Sequence, residues 1–212
     1  MAARLVITTQ KFSIWTYTEI SRCLSYGDFI MISKVHGALL LSLMAIVPAN
    51  LAAETFVYSG GCFWCTEADS EKLEGVSDVI SGFTGGTTAN PVYRVGKWGD
   101  HREAAQVIYD PAIISFEDLV THVYATIDYR DSDGQFCDRG RSYSPAIYYK
   151  SDAEKLAAER LAPASSVVPI EPETKFYPVR AEHQGYYKKN PIRYKFYRNR
   201  CGRDQRIKEL AK

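Results

Sequence analysis

Apolar and polar residues alternate along the chain in short blocks, which predict strands and helices of modest length. The strand blocks are rich in valine, isoleucine, threonine and aromatic residues, and turn residues border them. They predict four strands and a last strand candidate, at residues 55–60, 76–83, 103–110, 145–150 and 165–172.

Capping residues mark the predicted helix starts. Ser115 is followed three residues later by Asp118, and the apolar residues behind it share one helical face. Ser151 and Glu154 repeat this spacing ahead of a second helix. A further helix is predicted within residues 62–74, because a double glycine precedes it and a glycine follows it.

Few, short elements joined by long loops predict an α+β protein. We expect a two-layer sandwich in which helices pack on one mixed or antiparallel sheet with a ferredoxin-like core. The loop at residues 84–101 holds four glycines and a proline, and its length indicates a functional loop. These glycines form neither a GxGxxG nor a Walker pattern, so no nucleotide-binding fold is predicted.

Residues 31–53 have the layout of a secretory signal peptide. A short polar start with Lys34 precedes the apolar run "GALLLSLMAIV", and Pro48 separates this run from Ala52 and Ala53. A membrane span needs about 20 apolar residues, so the run is too short to cross a bilayer. The alternative is a buried apolar helix of the mature fold.

The signal peptide predicts an exported, periplasmic protein with a single catalytic domain at residues 54–212. Residues 1–30 would then be a spurious upstream extension from a wrongly assigned start codon, because an export signal belongs at the N-terminus. We expect the mature protein to be a monomer without stable membrane insertion.

The net charge of +1 at pH 7 is unevenly distributed. Acidic residues outnumber basic ones in residues 54–179, whereas basic residues dominate from Arg180 onward. The basic residues alternate with aromatic ones, as in "NPIRYKFYRNR", and do not form a clean helical face. We therefore expect them to neutralise the acidic part of the chain, and we do not expect nucleic-acid binding.

The predicted domain contains four cysteines, Cys62, Cys65, Cys137 and Cys201. Small disulfide-stapled scaffolds are shorter and richer in cysteine, so catalytic or redox use is favoured. The spacing of Cys62 and Cys65 fits a redox pair, half of a zinc site or two buried thiols. A zinc module would need another close Cys/His pair, which the remaining cysteines and histidines do not offer in the sequence.

Cys62 follows Gly60 and Gly61 at the predicted start of a helix. Free amide groups and the helix dipole at such a position favour a thiolate anion. Phe63 and Trp64 would add an apolar wall beside the sulfur. This arrangement suits a substrate that carries a small apolar group on an electrophilic atom.

Six sequence blocks carry a family resemblance. They are "GGCFWCTEADSEKLEGV", "SGFTGG", "NPVY", "GDHREAAQVIYDP", "DGQFCDRGRSYSPAIYY" and "FYPVRAEHQGYYKKNP". In this order they resemble the methionine sulfoxide reductase A family. The resemblance implies reduction of methionine S-sulfoxide in oxidised proteins or peptides, and of free methionine sulfoxide, through a sulfenic acid and a disulfide. It implies no bound metal or cofactor, and a reset by an external dithiol, thioredoxin or an envelope equivalent.

The resemblance also implies a role for each matching residue. Cys62 would attack the sulfoxide sulfur, while Phe63 and Trp64 would hold the ε-methyl group. Glu103 would protonate the sulfoxide oxygen, because this oxygen leaves readily only when protonated and a buried glutamate keeps its proton near neutral pH. Tyr93 and Tyr143 would donate hydrogen bonds to that oxygen, and Asp138 would orient the substrate backbone.

The cysteine that resolves the sulfenic acid is predicted to be Cys201 or Cys65. Cys65 lies one helical turn from Cys62, a spacing that CxxC redox proteins can close. Cys201 lies in a polar C-terminal tail that we expect to be mobile, which is where the family commonly carries its resolving cysteine. We favour Cys201, and we expect Cys137 to be a packed thiol beside Asp138.

Several residues depart from the family pattern. Cys65 stands where most members have glycine and Arg102 where most have alanine, and Trp98 replaces a smaller residue. Trp98 and Arg102 are candidates for changing the access of protein substrates. The Cys62–Cys65 spacing also leaves an alternative function, a thioredoxin-like CxxC disulfide oxidoreductase that exchanges dithiols without a sulfoxide.

The signal peptide predicts that the mature protein begins close to Glu54. N-terminal sequencing of protein recovered from the envelope fraction checks this. Material that retains residues 1–30 would refute both the export signal and the assignment of the upstream extension.

Overall fold

The computed structural model describes residues 52–94 and 98–212. The predicted signal peptide and the upstream extension lie outside these residues, apart from Ala52 and Ala53. None of the described helices is long and apolar enough to cross a membrane.

Strands and short helices alternate through the described chain. The strands are β1 Glu54–Ser59, β2 Val76–Thr84, β3 Arg102–Tyr109, β4 Gly134–Gln135, β5 Asp138–Arg139, β6 Ala146–Tyr149, β7 Ile170–Pro172 and β8 Tyr177–Pro178. The helices are α1 Phe63–Ser70, α2 Phe116–Thr126, α3 Asp152–Leu161, α4 Tyr186–Lys189, α5 Pro191–Arg200 and α6 Arg203–Leu210, with a 3-10 turn at Arg141–Tyr143.

Six strands form one mixed sheet in the order β7-β6-β1-β3-β2-β8. Neighbouring strands are antiparallel except β6 and β7, which are parallel. Strands β4 and β5 form a separate two-stranded ribbon. The predicted α+β class with a mixed sheet is confirmed. The ferredoxin-like core stays a prediction at this point.

One face of the sheet carries the main core. Phe56 and Tyr58 of β1 and Val107 of β3 pack with residues of α2 and α3. The capping box predicted at the start of α2 is present, because the Ser115 side chain accepts from the Asp118 N–H and the Asp118 carboxylate accepts from the Ser115 N–H. The strand alternation and the cap therefore agree in placing α2 on this face.

The opposite face of the sheet contains an ion pair in which the arginine is buried and the glutamate is half-buried. Arg102, only 4% exposed, contacts both carboxylate oxygens of Glu171 at 2.8 and 3.1 Å and donates to the Tyr148 hydroxyl. Successive residues of a strand point to opposite faces, so Arg102 points away from the face that Glu103 occupies. Arg102 consequently fixes β3 against β6 and β7 and does not line the Glu103 side.

The C-terminal segment differs from the mobile tail that we expected. It forms α4, α5 and α6, and Arg203 at the start of α6 is 2% exposed. Arg203 donates to the carbonyl oxygens of Gly60 and Thr126, at 3.1 and 2.8 Å. These long-range contacts fix the segment on α1 and α2. Two local signals were missed, namely Pro191 at the first turn of α5 and Gly202 after its end.

The last predicted strand is shorter in the structure than the sequence indicated. Residues 165–172 contain β7 only at Ile170–Pro172, where it pairs with β6. The other predicted strands and helices are confirmed with small shifts at their ends.

Candidate active site

A sharp turn delivers Cys62 from the end of β1 to the start of α1. Gly61 has φ of +86°, and a Cβ there would lie 2.6 Å from the Gln135 Cβ, so only glycine fits. Cys62 is the N-cap residue, and its carbonyl oxygen accepts from the Cys65 N–H at 3.0 Å. The double glycine therefore places the sulfur at the helix start, as the sequence predicted.

Cys62 and Cys65 are free thiols, 6% and 2% exposed, and the two side chains are close enough to shift each other's pKa. Burial raises the pKa of Cys62, and the contact with Cys65 and the nearby Glu103 raise it further. We expected the helix start to lower this pKa, but removal from water outweighs the helix dipole here. The contact with Cys62 lowers the pKa of Cys65 to about 7, with help from Arg203 and Arg198.

Glu103 is the buried acid of the site. It lies on β3, is 1% exposed, and its Oε2 accepts from the Phe63 N–H at 3.0 Å. Burial raises the pKa of Glu103 to about 8, against the opposing effect of the Phe63 N–H. The nearby Asp138 and Cys65 add to the rise. The carboxyl therefore keeps its proton at neutral pH.

Aromatic rings surround the start of α1. Phe63 is fully buried against Phe83, with ring centroids 5.8 Å apart. The ring centroid of Tyr93 lies 5.6 Å from that of Phe63 and 6.3 Å from that of the half-exposed Trp64. The ring centroid of Trp98 lies 5.5 Å from that of Tyr93. Together they form an apolar cluster next to Cys62 that suits a thioether or methyl group.

The functional loop predicted at residues 84–101 is organised by Asp100. Its carboxylate accepts from the N–H and the hydroxyl of both Thr87 and Thr88, and these hydrogen bonds hold the pKa of Asp100 well below its usual range. His101 is 1% exposed and hydrogen-bonds to Gly86 N–H and the Thr88 carbonyl, so it is structural. The loop thereby holds Trp98 beside the apolar cluster.

Tyr143 and Asp138 approach from the segment that contains β4, β5 and the 3-10 turn. Burial raises the pKa of the Tyr143 hydroxyl, and the charges of Glu103 and Asp138 raise it further. Burial also raises the pKa of Tyr93, with Glu103 and Cys62 adding to the rise. Both tyrosines therefore remain protonated hydroxyls near the Cys62–Glu103 centre. The structure brings all of the predicted pocket residues together.

The sequence analysis missed the aromatic residues of the C-terminal segment. The Tyr197 hydroxyl donates to Asp138 Oδ2 and lies near enough to the Cys62 thiol to oppose the rise of its pKa. The Tyr186 ring stacks on Trp64 with ring centroids 3.8 Å apart. Tyr186 lies in the last of the six family blocks and Tyr197 in the basic C-terminal segment, but no role was predicted for either residue.

Two expectations about cysteine are wrong. Cys137 is exposed and forms a disulfide with Cys201, with Cα atoms 4.8 Å apart, so it is not a packed thiol. Cys201 follows α5 in an ordered segment and not in a mobile tail. The pairing arises because the β4–β5 turn carries Cys137 outward to the end of α5. The ligand atoms of Cys137, Cys201 and Asp138 lie within 4.8 Å, but the disulfide removes the two thiolates that zinc would need.

A buried thiol pair beside a protonated carboxyl, under an aromatic wall, defines a thiol-dependent reductase. The profile of the family described as peptide methionine sulfoxide reductase matches residues 54–212. The peptide methionine sulfoxide reductase MsrA 2 of Rhizobium meliloti is 41% identical over 179 residues, which are 81% of this chain and 90% of that protein.

Two solved structures share the fold. The methionine sulfoxide reductase A of Corynebacterium diphtheriae has a TM-score of 0.60 at 28% identity, covering 68% of this chain and 78% of that one. Reduced Mxr1 of Saccharomyces cerevisiae has a TM-score of 0.61 at 26% identity, covering 66% and 87%.

The chain belongs to the peptide methionine sulfoxide reductase family. Its activity is that of a peptide-methionine (S)-S-oxide reductase, which returns methionine sulfoxide to methionine. The alternative of a thioredoxin-like disulfide oxidoreductase is set aside by this membership.

The two pKa values predict a bell-shaped pH profile for the first turnover. Glu103 must hold its proton, which it loses as the pH rises through about 8, so the rate falls above that pH. The Cys62–Cys65 pair must lose one proton, which it does as the pH rises through about 7, so the rate increases up to that pH. Rapid-quench measurement of methionine formed between pH 5 and 10 checks both limbs.

Glu103→Gln should lower the rate roughly 10²–10⁴-fold and remove the alkaline limb. Glu67→Gln is the matched control, because Glu67 is equally buried on α1 but bonds to Ser81 and Gly185. It should keep the alkaline limb. A wild-type rate that is flat from pH 6 to 9 would remove the acid role from Glu103.

Proposed function

We propose that Cys62 attacks the sulfur of methionine S-sulfoxide while Glu103 gives a proton to the sulfoxide oxygen. The observation that carries this proposal is the hydrogen bond between Glu103 and the Phe63 N–H, the residue next to Cys62. It ties the attacking sulfur and the acid together in a site that excludes water. The Cys65 thiolate takes the proton of Cys62 as Cys62 attacks, in line with the lowered pKa of Cys65. The Cys62 sulfur supplies two electrons, the oxygen passes to Cys62 as a sulfenic acid, and methionine leaves.

The apolar cluster would bind the substrate side chain. Phe63 and Trp64 are the residues that we assign to the ε-methyl group, supported by their position in the aromatic cluster beside Cys62. The Trp64 indole N–H is buried and has no hydrogen-bond partner among the described residues. A buried donor without a partner is costly, so a polar substrate atom here would relieve that cost.

Tyr93 and Tyr143 would donate hydrogen bonds to the sulfoxide oxygen. Their raised pKa values support this role, because a donor must remain protonated while negative charge accumulates on the oxygen. Asp138 would take the backbone N–H of a peptide substrate. Its position beside Cys62 and Glu103 supports this assignment, and in the present state Tyr197 occupies its carboxylate.

Cys65 is our choice for the resolving thiol, in place of the initial preference for Cys201. Cys65 is a free thiol one helical turn after Cys62, and its N–H donates to the Cys62 carbonyl, whereas Cys201 is bonded to Cys137. Attack of Cys65 on the Cys62 sulfenic acid forms a disulfide, and the proton that Cys65 gives up leaves with the sulfenic oxygen as water. An external dithiol, thioredoxin or an envelope equivalent, then returns both residues to thiols. Over the cycle the dithiol is oxidised and one oxygen atom leaves as water.

The four central strands support a ferredoxin-like core for this site. Strands β6-β1-β3-β2 are adjacent and antiparallel, and the chain order is βαββαβ if the β4–β5 ribbon is set aside. In this arrangement Cys62 follows central strand β1 and Glu103 lies on its neighbour β3. The acid and the nucleophile thus come from adjacent strands of a rigid sheet.

We further propose that the enzyme is exported and works as a periplasmic monomer, after removal of residues 31–53. The support is the polar start, short apolar run and small residues of that segment. Its substrates would then be oxidised proteins or peptides of the envelope. The reductant would be a thioredoxin-like protein of that compartment.

A single turnover without reductant tests the two cysteine assignments. Cys62→Ser should form no methionine, because an alcohol does not attack the sulfoxide sulfur at neutral pH. Cys65→Ser should still form up to one equivalent, since only the later step is lost. Peptide mapping of the wild-type protein should find a new Cys62–Cys65 disulfide. Appreciable turnover by Cys62→Ser would overturn the mechanism.

Cys201→Ser is the control for the resolving step. It should still form the Cys62–Cys65 disulfide after one turnover. If wild type instead yields a Cys62–Cys201 disulfide, the resolving role returns to Cys201, and the exchange with Cys137 must precede it.

A further inference from the structure

The C-terminal residues 186–201, here called the strap, cover the Cys62 site. The strap begins after Gly185 and ends before Gly202, and both glycines have positive φ, of 60° and 70°. Within it, Tyr186 lies flat on Trp64, and Tyr197 meets Trp64 edge-on with centroids 6.0 Å apart. With the strap in place, Cys62 and Glu103 are almost wholly removed from solvent.

Tyr197 occupies groups that a substrate must use. Its hydroxyl donates to Asp138 and its ring lies against Trp64, the residues assigned above to the substrate backbone and to the ε-methyl group. A methionine sulfoxide in a peptide must therefore displace Tyr197 before it reaches the thiol. The closed strap is a competitor for the substrate site.

The Cys137–Cys201 disulfide fixes the end of the strap that carries Tyr197. Cys201 lies one helical turn after Tyr197, and its N–H donates to the Tyr197 carbonyl at 2.9 Å. Cys137 directly precedes Asp138. Because the disulfide joins the segment that follows Tyr197 to the residue that precedes Asp138, it holds these two side chains in contact.

The same disulfide is the cysteine pair that a reductant can reach. Cys137 is exposed and Cys201 half-buried, whereas Cys62 and Cys65 are buried. Attack on the Cys137 sulfur would expel Cys201 as a thiolate. Arg200 and Arg203 lie beside Cys201 in the sequence, and nearby cations stabilise a thiolate. Cys137 lies beside the Asp138 carboxylate, which would disfavour a thiolate there.

We propose that the Cys137–Cys201 disulfide is a second thiol–disulfide exchange site, and that its reduction by an external dithiol releases the strap and admits oxidised methionine to Cys62. In this exchange one S–S bond breaks in the enzyme and one forms in the dithiol, which supplies two electrons and two protons. The enzyme would accept substrate only where a reductant able to reset it is also present. The inference rests on the proposed role of Cys62.

The strap has other contacts that survive reduction. Arg198 pairs with Asp69 at 2.9 Å, and the Gly185 N–H donates to Glu67 at 2.7 Å. Reduction should therefore loosen the strap at Tyr197 and leave the fold intact. Because the observed rate scales with the open fraction, a strap open in a tenth of molecules or fewer would slow the first turnover about tenfold or more.

The experiment compares the first turnover in three forms of the enzyme. One is wild type in which peptide mapping confirms the Cys137–Cys201 disulfide with Cys62 and Cys65 free. The second is the same protein after dithiol treatment and removal of the dithiol, and the third is the Cys137→Ser/Cys201→Ser variant. Methionine formed from a sulfoxide-containing peptide is measured by rapid quench without reductant, so recycling does not contribute.

Both forms that lack the disulfide should react at least about tenfold faster than the disulfide form. Alkylation of Cys62, followed by mass spectrometry, should accelerate in parallel. The single variants Cys137→Ser and Cys201→Ser should match the double variant, since either one breaks the bond. A faster reaction cannot come from misfolding, and the dithiol-treated wild type needs no substitution at all.

Equal first-turnover rates in all three forms would overturn the second exchange site and leave the proposed function standing. No methionine from any form would instead overturn the proposed function. A single variant that differs from the double variant would contradict the account, because it would show a separate role for one sulfur.

Discussion

The hydrogen bond from the Phe63 N–H to Glu103 is the contact on which the site depends. It joins residues 40 positions apart, and both partners are almost fully buried. A helix start leaves free N–H groups, and a buried carboxyl needs a donor, so each satisfies the other. The same bond sets the distance between the thiol that follows Gly61 and the acid on β3. Without this hydrogen bond, the distance between the nucleophile at the start of α1 and the acid on β3 would not be fixed.

Burial governs the protonation of every group around this bond. Removal from water raises the pKa of Cys62, Glu103, Tyr93 and Tyr143, so each group keeps its proton to a higher pH than it would in water. Cys65 is the exception, because the Cys62 thiol and two arginines of the C-terminal segment lower its pKa. One negative charge on the thiol pair and one neutral carboxyl together form the combination that sulfoxide reduction requires.

The sequence predicted the elements whose signals are local. The double glycine before Cys62, the capping box at Ser115 and the alternation in β1 and β3 each specify their own structure within a few residues. The Cys137–Cys201 disulfide could not be derived in this way, because its partners are 64 residues apart and meet only when the end of α5 reaches the β4–β5 turn. The C-terminal helices had local signals at Pro191 and Gly202, but their packing could not be derived, since their anchors are distant carbonyl and carboxylate oxygens.

The proton on Glu103 is the central claim, and carbon NMR of the protein labelled at glutamate side-chain carboxyls measures it directly. Comparison with Glu103→Gln assigns the Glu103 resonance, and its chemical shift is followed from pH 3 to 10. The account predicts a titration midpoint near pH 8, as expected for a carboxyl raised by burial from 4.5. A midpoint near 4.5 would show an ionised carboxylate at neutral pH and would contradict the account.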